Sequence, residues 1–490
     1  MNAAPTLWKA GHLPGLTDDE VTWHTLHFEG VAGQPLQIAV PALTPAQADA
    51  LADRVRQSAS KVLQTLPVST IIERIDRAVA RLLDTRDPLR QEADALLPRV
   101  TGYDAEMVSL GLTRYLQAFR APQLHRFVSE DFANPKVLDE FQPATKGGMV
   151  RAFGPGLLVH HWAGNVPGLP LWSLACGLMV KAGNIGKLPS AEPVFATLFA
   201  RALSQVDPAL GDCYAIVWWK GGQTEPAATL HAQADTVLAY GGQDAVQEIR
   251  TQVPPTARFL AYGHKLGVAL VGRAALDRQR GPALARLLAQ DVTRYEQQGC
   301  YSPHVVYVER GARLDPRAFA QHLAGELAAL AQRYPRPALG LADATAVAQW
   351  RQSVEWGPDT QTLLGDDTSP WAVAFSEHAL PLAPTAGWRC VQVVAVDTLE
   401  AAADALAPHA AYLQTAGVAV EPERLYPLSL RLMHAGITRV CALGSMTAPE
   451  AGWHHDGGFN LRDLVRISEI EASAERAADR LAPYAQEDGP

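Results

Sequence analysis

The sequence predicts an α/β protein built on parallel sheets, and three observations carry that prediction. From about residue 150 the chain repeats the order strand, glycine-bearing loop, helix, strand, the order in which parallel α/β units are written. Its apolar runs at 156–162, 236–240, 266–271 and 305–308 read as buried strands. With 490 residues, 48% of them hydrophobic, the chain has material for two or three packed domains.

Each element has its own warrant. Residues 1 to about 40 alternate apolar and polar residues between turn signals, as at 36–40, and predict short strands. Thr44-Pro45 supplies a cap and a first-turn proline, and Leu51, Val55, Val62, Leu63 and Leu66 follow at helical spacing until Pro67 stops them. Thr70-Ile71-Ile72-Glu73 has the form of a capping box and predicts a second helix carrying Ile75, Val79, Leu82 and Leu83. A third helix is expected from near Tyr103 to just before Pro122. In the α/β half, residues 163–168 are the exit loop of the first strand. A helix follows at 169–181, with Gly183 expected in the left-handed conformation that closes it. Residues 184–190 read as a short strand carrying Lys187. The strand at 236–240 turns at Gly241-Gly242 into a helix starting near Asp244. A second α/β region opens at Leu266 and ends near Ser445. The tail carries Trp453-His454-His455-Asp456-Gly457-Gly458 and an amphipathic segment at 461–470.

Composition narrows the function. A formal net charge of -9 and the lack of a basic run argue against nucleic acid or an anionic membrane surface as a partner. Five scattered cysteines resemble neither a disulfide framework nor a metal site, and a reducing cytoplasm suits them. Residues 1–13 lack the pattern of an export signal, and no apolar stretch reaches the roughly 18 residues of a membrane span.

One cysteine stands apart. In Gln298-Gly299-Cys300-Tyr301-Ser302-Pro303, Cys300 lies between a glycine and a Ser-Pro turn at the entry to a buried strand, where a loop can present a thiol to a cleft. The plainer alternative is an inert core cysteine. The Gly241-Gly242 turn sets free backbone N–H groups and a positive helix end together, which suits a phosphate, although such pairs also serve as ordinary tight turns. Asn165 is either a hydrogen-bond donor to a reacting oxygen or turn chemistry before Pro167. His454, His455 and Asp456 could relay protons or form an exposed loop. His304 falls four residues after Cys300 on a strand, with its facing undecided. His160 and His161 read as satisfied strand histidines.

Three blocks occur in order: Gly164-Asn165-Val166-Pro167 with 183–190, then 298–303 around Cys300, then 453–457. Together they resemble the aldehyde dehydrogenase superfamily, and within it the acyl-CoA reductases of the LuxC type, over roughly residues 100–475. The resemblance implies an aldehyde-dehydrogenase-like α/β fold. Residues 1–262 would hold the amino-terminal helices and a Rossmann-like cofactor domain, with a small oligomerisation hairpin near 128–151. Residues 263–445 would form the catalytic domain, and 446–490 would return to the cofactor and oligomerisation region. It further implies Cys300 as nucleophile, Asn165 as oxyanion donor, Lys187 and Ser190 near the adenine ribose, Gly241 and Gly242 at the pyrophosphate, and a homo-oligomer.

Departures from the pattern refine the chemistry. Hydrolytic members carry a glutamate base where this chain reads Ala261-Tyr262-Gly263-His264-Lys265, so water is poorly activated against a Cys thioester; His264 is one substitute for that base. Ser190 and Ala191 stand where a ribose-clasping glutamate is usual, which favours NADPH, with NADH the alternative and Glu192 a complication. The expected activity is reduction of a fatty or aryl acyl-CoA, or another acyl thioester, to the aldehyde through an acyl-Cys300 thioester, with His455 as a proton relay. An acyl-activating enzyme is the implied partner. Two rivals stay open: an NAD(P)-dependent aldehyde dehydrogenase, and a Cys-dependent acyltransferase or thioesterase. A scaffold that only keeps the fold is a third, disfavoured by the joint presence of Cys300 and Asn165.

Overall fold

The computed structural model describes residues 7–29, 35–222, 225–357 and 361–482; the first six residues of the amino-terminal stretch and the last eight of the chain lie outside it. Strand Leu36–Ala42 pairs with Leu7–Lys9 and Thr22–Phe28 in a small sheet. Helix Pro45–Val62 starts as expected: Thr44 Oγ1 accepts from the Gln47 N–H, and the Gln47 side chain returns a bond to Thr44.

The next helix departs from expectation. It spans Val68–Leu83 and begins before Thr70, so the Thr70–Glu73 box does not form. Its first N–H is satisfied from a distance, by the Asp139 carboxylate accepting from Val68. A tertiary cap has displaced the local one. Ile71, Ile72, Ile75, Val79 and Leu82 are fully buried along one stripe, each contributing about 1.5–3 kcal/mol of apolar transfer. The third expected helix is Ala105–Gln117, capped by Asp104, whereas Pro122 starts a further helix, Ala121–Asp131, instead of closing one. Helix Pro88–Thr101 had no counterpart in the sequence reading.

A five-stranded parallel sheet follows, in the order Arg258–Tyr262, Thr236–Tyr240, Leu157–His161, Gly183–Lys187, Tyr214–Val217. The sheet grows one way through its first three strands in sequence and then turns back past the first. The switch point therefore lies between Leu157–His161 and Thr236–Tyr240, whose carboxyl ends flank a crevice. Helix Leu169–Met179 closes at Lys181 (φ 64), not at Gly183, which already belongs to the next strand. Gly186 is required in that strand, because a Cβ there would fall 1.8 Å from the Trp162 ring.

The second large sheet has seven strands: Gln361–Leu364, Ala372–Ser376, Cys390–Val396, Pro303–Glu309, Leu266–Val271, Leu413–Ala419, Arg439–Ala442. All pairs are parallel except the edge pair of Gln361–Leu364 with Ala372–Ser376. A further, antiparallel sheet joins Gln142–Pro143, Met149–Phe153 and Arg466–Ile470. The hairpin expected near 128–151 is thus confined to 142–153, since Val128 is part of helix Ala121–Asp131. No helix among the described residues is long and apolar enough to cross a membrane, and all five cysteines are free.

Candidate active site

The loop that carries Cys300 is built on an unusual turn. Beyond helix Arg280–Thr293, the residues Tyr295, Glu296 and Gln297 take φ values of 53, 52 and 64°, three left-handed non-glycine residues in succession. Such conformations cost of order 1–3 kcal/mol each and persist only where the surroundings over-determine them. Here they do. The Glu296 carboxylate meets Arg389 at 2.5 and 2.8 Å with both side chains fully buried. Gln297 Nε2 donates to the carbonyls of Pro303 (2.7 Å) and Cys390 (2.9 Å), and the Trp388 N–H donates to the Glu296 carbonyl at 3.2 Å. The chain then closes a tight turn, Ser302 N–H to Gly299 carbonyl at 2.9 Å, with Cys300 inside it.

Cys300 faces a cavity of about 420 Å³. One wall comes from the loops at the switch point, Ala163–Val166 and Gly241-Gly242; the other comes from Gln298–Tyr301, His304, Thr385, Gln414 and Asp456. Burial pushes the Cys300 thiol up to about 12; the Asp456 charge adds to this, while the Gln414 N–H, the cysteine's own backbone N–H and Arg439 oppose it. Gln414 Nε2 lies 3.5 Å from Cys300 Sγ. Asn165 reaches across to the same loop, its Nδ2 donating to the Gln298 carbonyl at 2.7 Å, and its Oδ1 is buried with no partner among the described residues.

The three residues of the tail motif divide. His455 stacks on Tyr262 (4.4 Å between centroids) and meets the Trp453 edge at 4.9 Å, and Tyr262 in turn stacks on Tyr240 at 4.8 Å. Burial holds His455 below its ordinary value, so it is a neutral imidazole at pH 7. Asp456 lines the cavity beside it, whereas His454 packs on Phe459. His304 also lines the cavity; its Nδ1 pairs with Thr385 Oγ1 at 2.8 Å, and burial pushes it down to about 3. His264 lines the cavity too, lowered by burial. His160 and His161 are strand histidines bonded to Asn184 and His231.

The cavity therefore brings together Cys300, Asn165, Gly241, Gly242 and His455, while Lys187 and Ser190 lie outside its lining. Lys187 ends its strand with its ammonium 5.9 Å above the Trp219 ring, and Ser190 Oγ accepts from Trp218 Nε1 at 3.0 Å. Glu192 is turned away altogether: its carboxylate accepts from the N–H groups of Val194 and Phe195 at 2.8 Å and caps helix Phe195–Val206. Burial raises it to about 7. Ala261, at the place of the missing base, is exposed outside the cavity, and the wall there is the Tyr262 ring.

A dinucleotide fits this framework. Among the described residues, a Cβ built on Gly242 meets nothing within 4 Å, and one on Gly241 meets only Ala245 at 3.7 Å, so open space lies before the N-terminus of helix Gln243–Gln252 at the switch point. Gln414 and Thr385 were missed by sequence reasoning. The one signal for Gln414 was a buried-strand amide beside Thr415 in a run of small and apolar residues, more than a hundred residues from Cys300.

Comparison with known proteins identifies the family and the fold. Residues 63–467 match the family model described as Acyl-CoA reductase (LuxC). The long-chain acyl-protein thioester reductase of Photorhabdus laumondii is 24% identical over 364 residues, 73% of this chain and 72% of that protein. The Vibrio harveyi protein of the same name is 23% identical over 352 residues, 70% of each. The match to the Photorhabdus luminescens reductase, 28% identical, spans only 44% of that protein's length and 43% of this chain. Among solved structures, aldehyde dehydrogenase 21 from Physcomitrella patens superposes with a TM-score of 0.73 at 13% identity, covering 96% of this chain and 98% of that one. The NADP-dependent glyceraldehyde-3-phosphate dehydrogenase of Bacillus halodurans gives 0.69, also at 13% identity, covering 92% and 96%. The fold is that of the aldehyde dehydrogenases, and the chain belongs to the acyl-CoA reductase (LuxC) family of oxidoreductases.

Proposed function

We propose that this protein reduces an acyl thioester to the aldehyde, using NADPH and a covalent acyl-Cys300 intermediate. The observation that carries the reading is the cavity that joins Cys300 to the open switch point at Gly241-Gly242, with Ala261, which stands where hydrolytic relatives carry a glutamate base, outside it and the neighbouring Tyr262 ring forming the wall. Cys300 Sγ attacks the acyl carbon and expels the thiol. The second Nδ2 hydrogen of Asn165 and a backbone N–H near Cys300 steady the oxyanion, each such donor being worth about 3–4 kcal/mol. The aromatic wall of Tyr240, Tyr262, Trp453 and His455 keeps water from the thioester. A bound reduced nicotinamide would supply the hydride that converts the thioester to a thiohemiacetal, which releases the aldehyde and restores Cys300. Gly241, Gly242 and Lys187 would hold that cofactor. The commitment of Glu192 to a helix cap leaves no carboxylate from that segment to repel a 2′-phosphate, which supports NADPH over NADH.

The names of the relatives extend the substrate class from acyl-CoA to acyl-protein thioesters, and with them the idea of a partner that loads the acyl group. A second reading, aldehyde oxidation to the acid, draws on Asp456, a carboxylate in the cavity that could activate water. The deciding assay follows NADPH and NADH oxidation with short, long and aromatic acyl-CoAs, with Cys300→Ala as control. Aldehyde formed by the wild type and lost in the mutant supports the reductase; acid formed from aldehydes, with no consumption of thioester, sinks it.

A further inference from the structure

Gln414 and Asp456 meet at the nucleophile from two different segments. Gln414 lies at the head of strand Leu413–Ala419 and is fully buried. Its Nε2 carries two hydrogens and has two acceptors, Cys300 Sγ at 3.5 Å and Asp456 Oδ1 at 2.5 Å. Its Oε1 accepts from Thr415 Oγ1 at 3.2 Å. Every polar atom of the amide is thus engaged, and a flipped amide would set Oε1 against a carboxylate. Asp456 is held at φ 52, just before Gly457 at φ 79, a left-handed pair that Asp tolerates better than most residues.

We infer that Asp456 carries the proton of Cys300 during acyl transfer, and that Gln414 is the positioning residue that holds thiol and carboxylate on one amide. The identity of the reactant rests on the thioester reading above; the arrangement of the three side chains does not. The carboxylate takes the thiol proton as the sulfur bonds to the acyl carbon. The bond from that carbon to the leaving sulfur then breaks, and the departing thiolate takes the same proton from the Asp456 carboxyl. Cys300 is left as a thioester, Asp456 is ionised again, and nothing is oxidised or reduced.

The need for such a group follows from the surroundings. A thiol pushed up to about 12 yields almost no thiolate at neutral pH. Among the described residues, Asp456 is the one acidic side chain that lines the cavity. Arg439, bonded to the Met446 and Ser445 carbonyls, acts on Cys300 only through its charge, as Lys265, bonded to the Ala411 carbonyl, does on His455. The phenols around the two groups, Tyr115, Tyr240, Tyr262 and Tyr301, are all pushed up by burial and stay neutral. The imidazoles of His264, His304 and His455 are held low by burial and are poor proton acceptors at pH 7.

The test uses the full-length protein with Gln414→Met, which keeps length but loses the donors, and Asp456→Asn. Alkylation of Cys300 by iodoacetamide at fixed pH, read on its peptide by mass spectrometry, reports thiol acidity. Release of CoA from decanoyl-CoA without nicotinamide reports acyl transfer. A change of about one pKa unit alters the thiolate tenfold, partly offset by nucleophilicity, so Gln414→Met is expected to alkylate about threefold more slowly and Asp456→Asn about threefold faster. Acyl transfer in Asp456→Asn is nonetheless expected to fall about 100-fold. A merely structural role would move both variants in the same direction. Unchanged alkylation in Gln414→Met, or acyl transfer within threefold of wild type in Asp456→Asn, overturns the inference. Should Gln414→Met not fold, Asp456→Asn alone decides, through its opposed changes in alkylation and transfer. A wild type that releases no CoA, with alkylation shifting as expected, sinks the thioester reading and keeps the arrangement.

Discussion

Replacing Arg389 with Met is expected to destabilise the protein by about 3–5 kcal/mol at pH 8, because it strands Glu296 in a fully buried site. The contact is bidentate at 2.5 and 2.8 Å. At an effective dielectric of about 20, unit charges at that separation attract by about 6 kcal/mol, which offsets much of what it costs to bury both. Burial already holds the Glu296 carboxyl above its ordinary value, with Arg389 opposing. Without the arginine, the native state binds a proton there that the unfolded state releases. Stability attached to that proton is present below the ordinary carboxylate range and is lost as pH rises through the elevated native value, so the gap to wild type widens from pH 5 to pH 8. The assay is urea unfolding followed by tryptophan fluorescence at both pH values, with the double variant Arg389→Met/Glu296→Leu as control. The double variant is expected to recover most of the loss, since an apolar pair replaces an unpaired charge. A loss below about 1 kcal/mol, no pH dependence, or a double variant no better than the single would refute the reasoning. The consequence reaches the chemistry, because this pair braces the left-handed turn that leads into Cys300.

Three further outcomes are expected. Gly242→Val should leave the melting temperature unchanged, since φ -64 and ψ 160 suit any residue and its Cβ meets open space, yet raise the Kd for NADPH at least tenfold in a fluorescence titration; unaltered binding would remove the phosphate from this turn. Glu192, raised to about 7 by burial, makes the folded state bind a proton that the unfolded state has lost, so its contribution to stability falls by about 3 kcal/mol as pH rises from 4.5 to beyond 7. Glu192→Gln should flatten that slope in denaturant titrations across the range, and a persistent slope would place the titration elsewhere. Asn165→Ala should slow release of CoA from an acyl-CoA by about 10²–10³-fold while iodoacetamide labelling of Cys300 stays near wild type, and equal losses in both would make Asn165 a scaffold for the loop.

Much of this protein was legible in the order of its residues. The apolar runs and glycine turns after residue 150 placed the strands of both parallel sheets near Leu157, Thr236 and Leu266, because strand burial and glycine conformation are local demands. The cap at Thr44 and the Ser-Pro turn after Cys300 are local for the same reason. Other features were settled by groups distant in sequence. The helix at Val68 is capped by Asp139, seventy-one residues on, which overrode an adequate local box at Thr70. Glu192 looked available to a ribose and is instead consumed by the helix that follows it. The cavity's working groups depend still more on tertiary placement. Gln414 reads as an odd amide in a strand and Asp456 as part of a polar loop, and only the closing of the second sheet against the tail sets both on one thiol. Hydrogen bonds of about 3 Å between residues a hundred or more positions apart leave no period or spacing in the chain. The sequence by itself therefore determined the fold and singled out Cys300 as the candidate nucleophile, whereas the side chains gathered around that thiol were decided by packing.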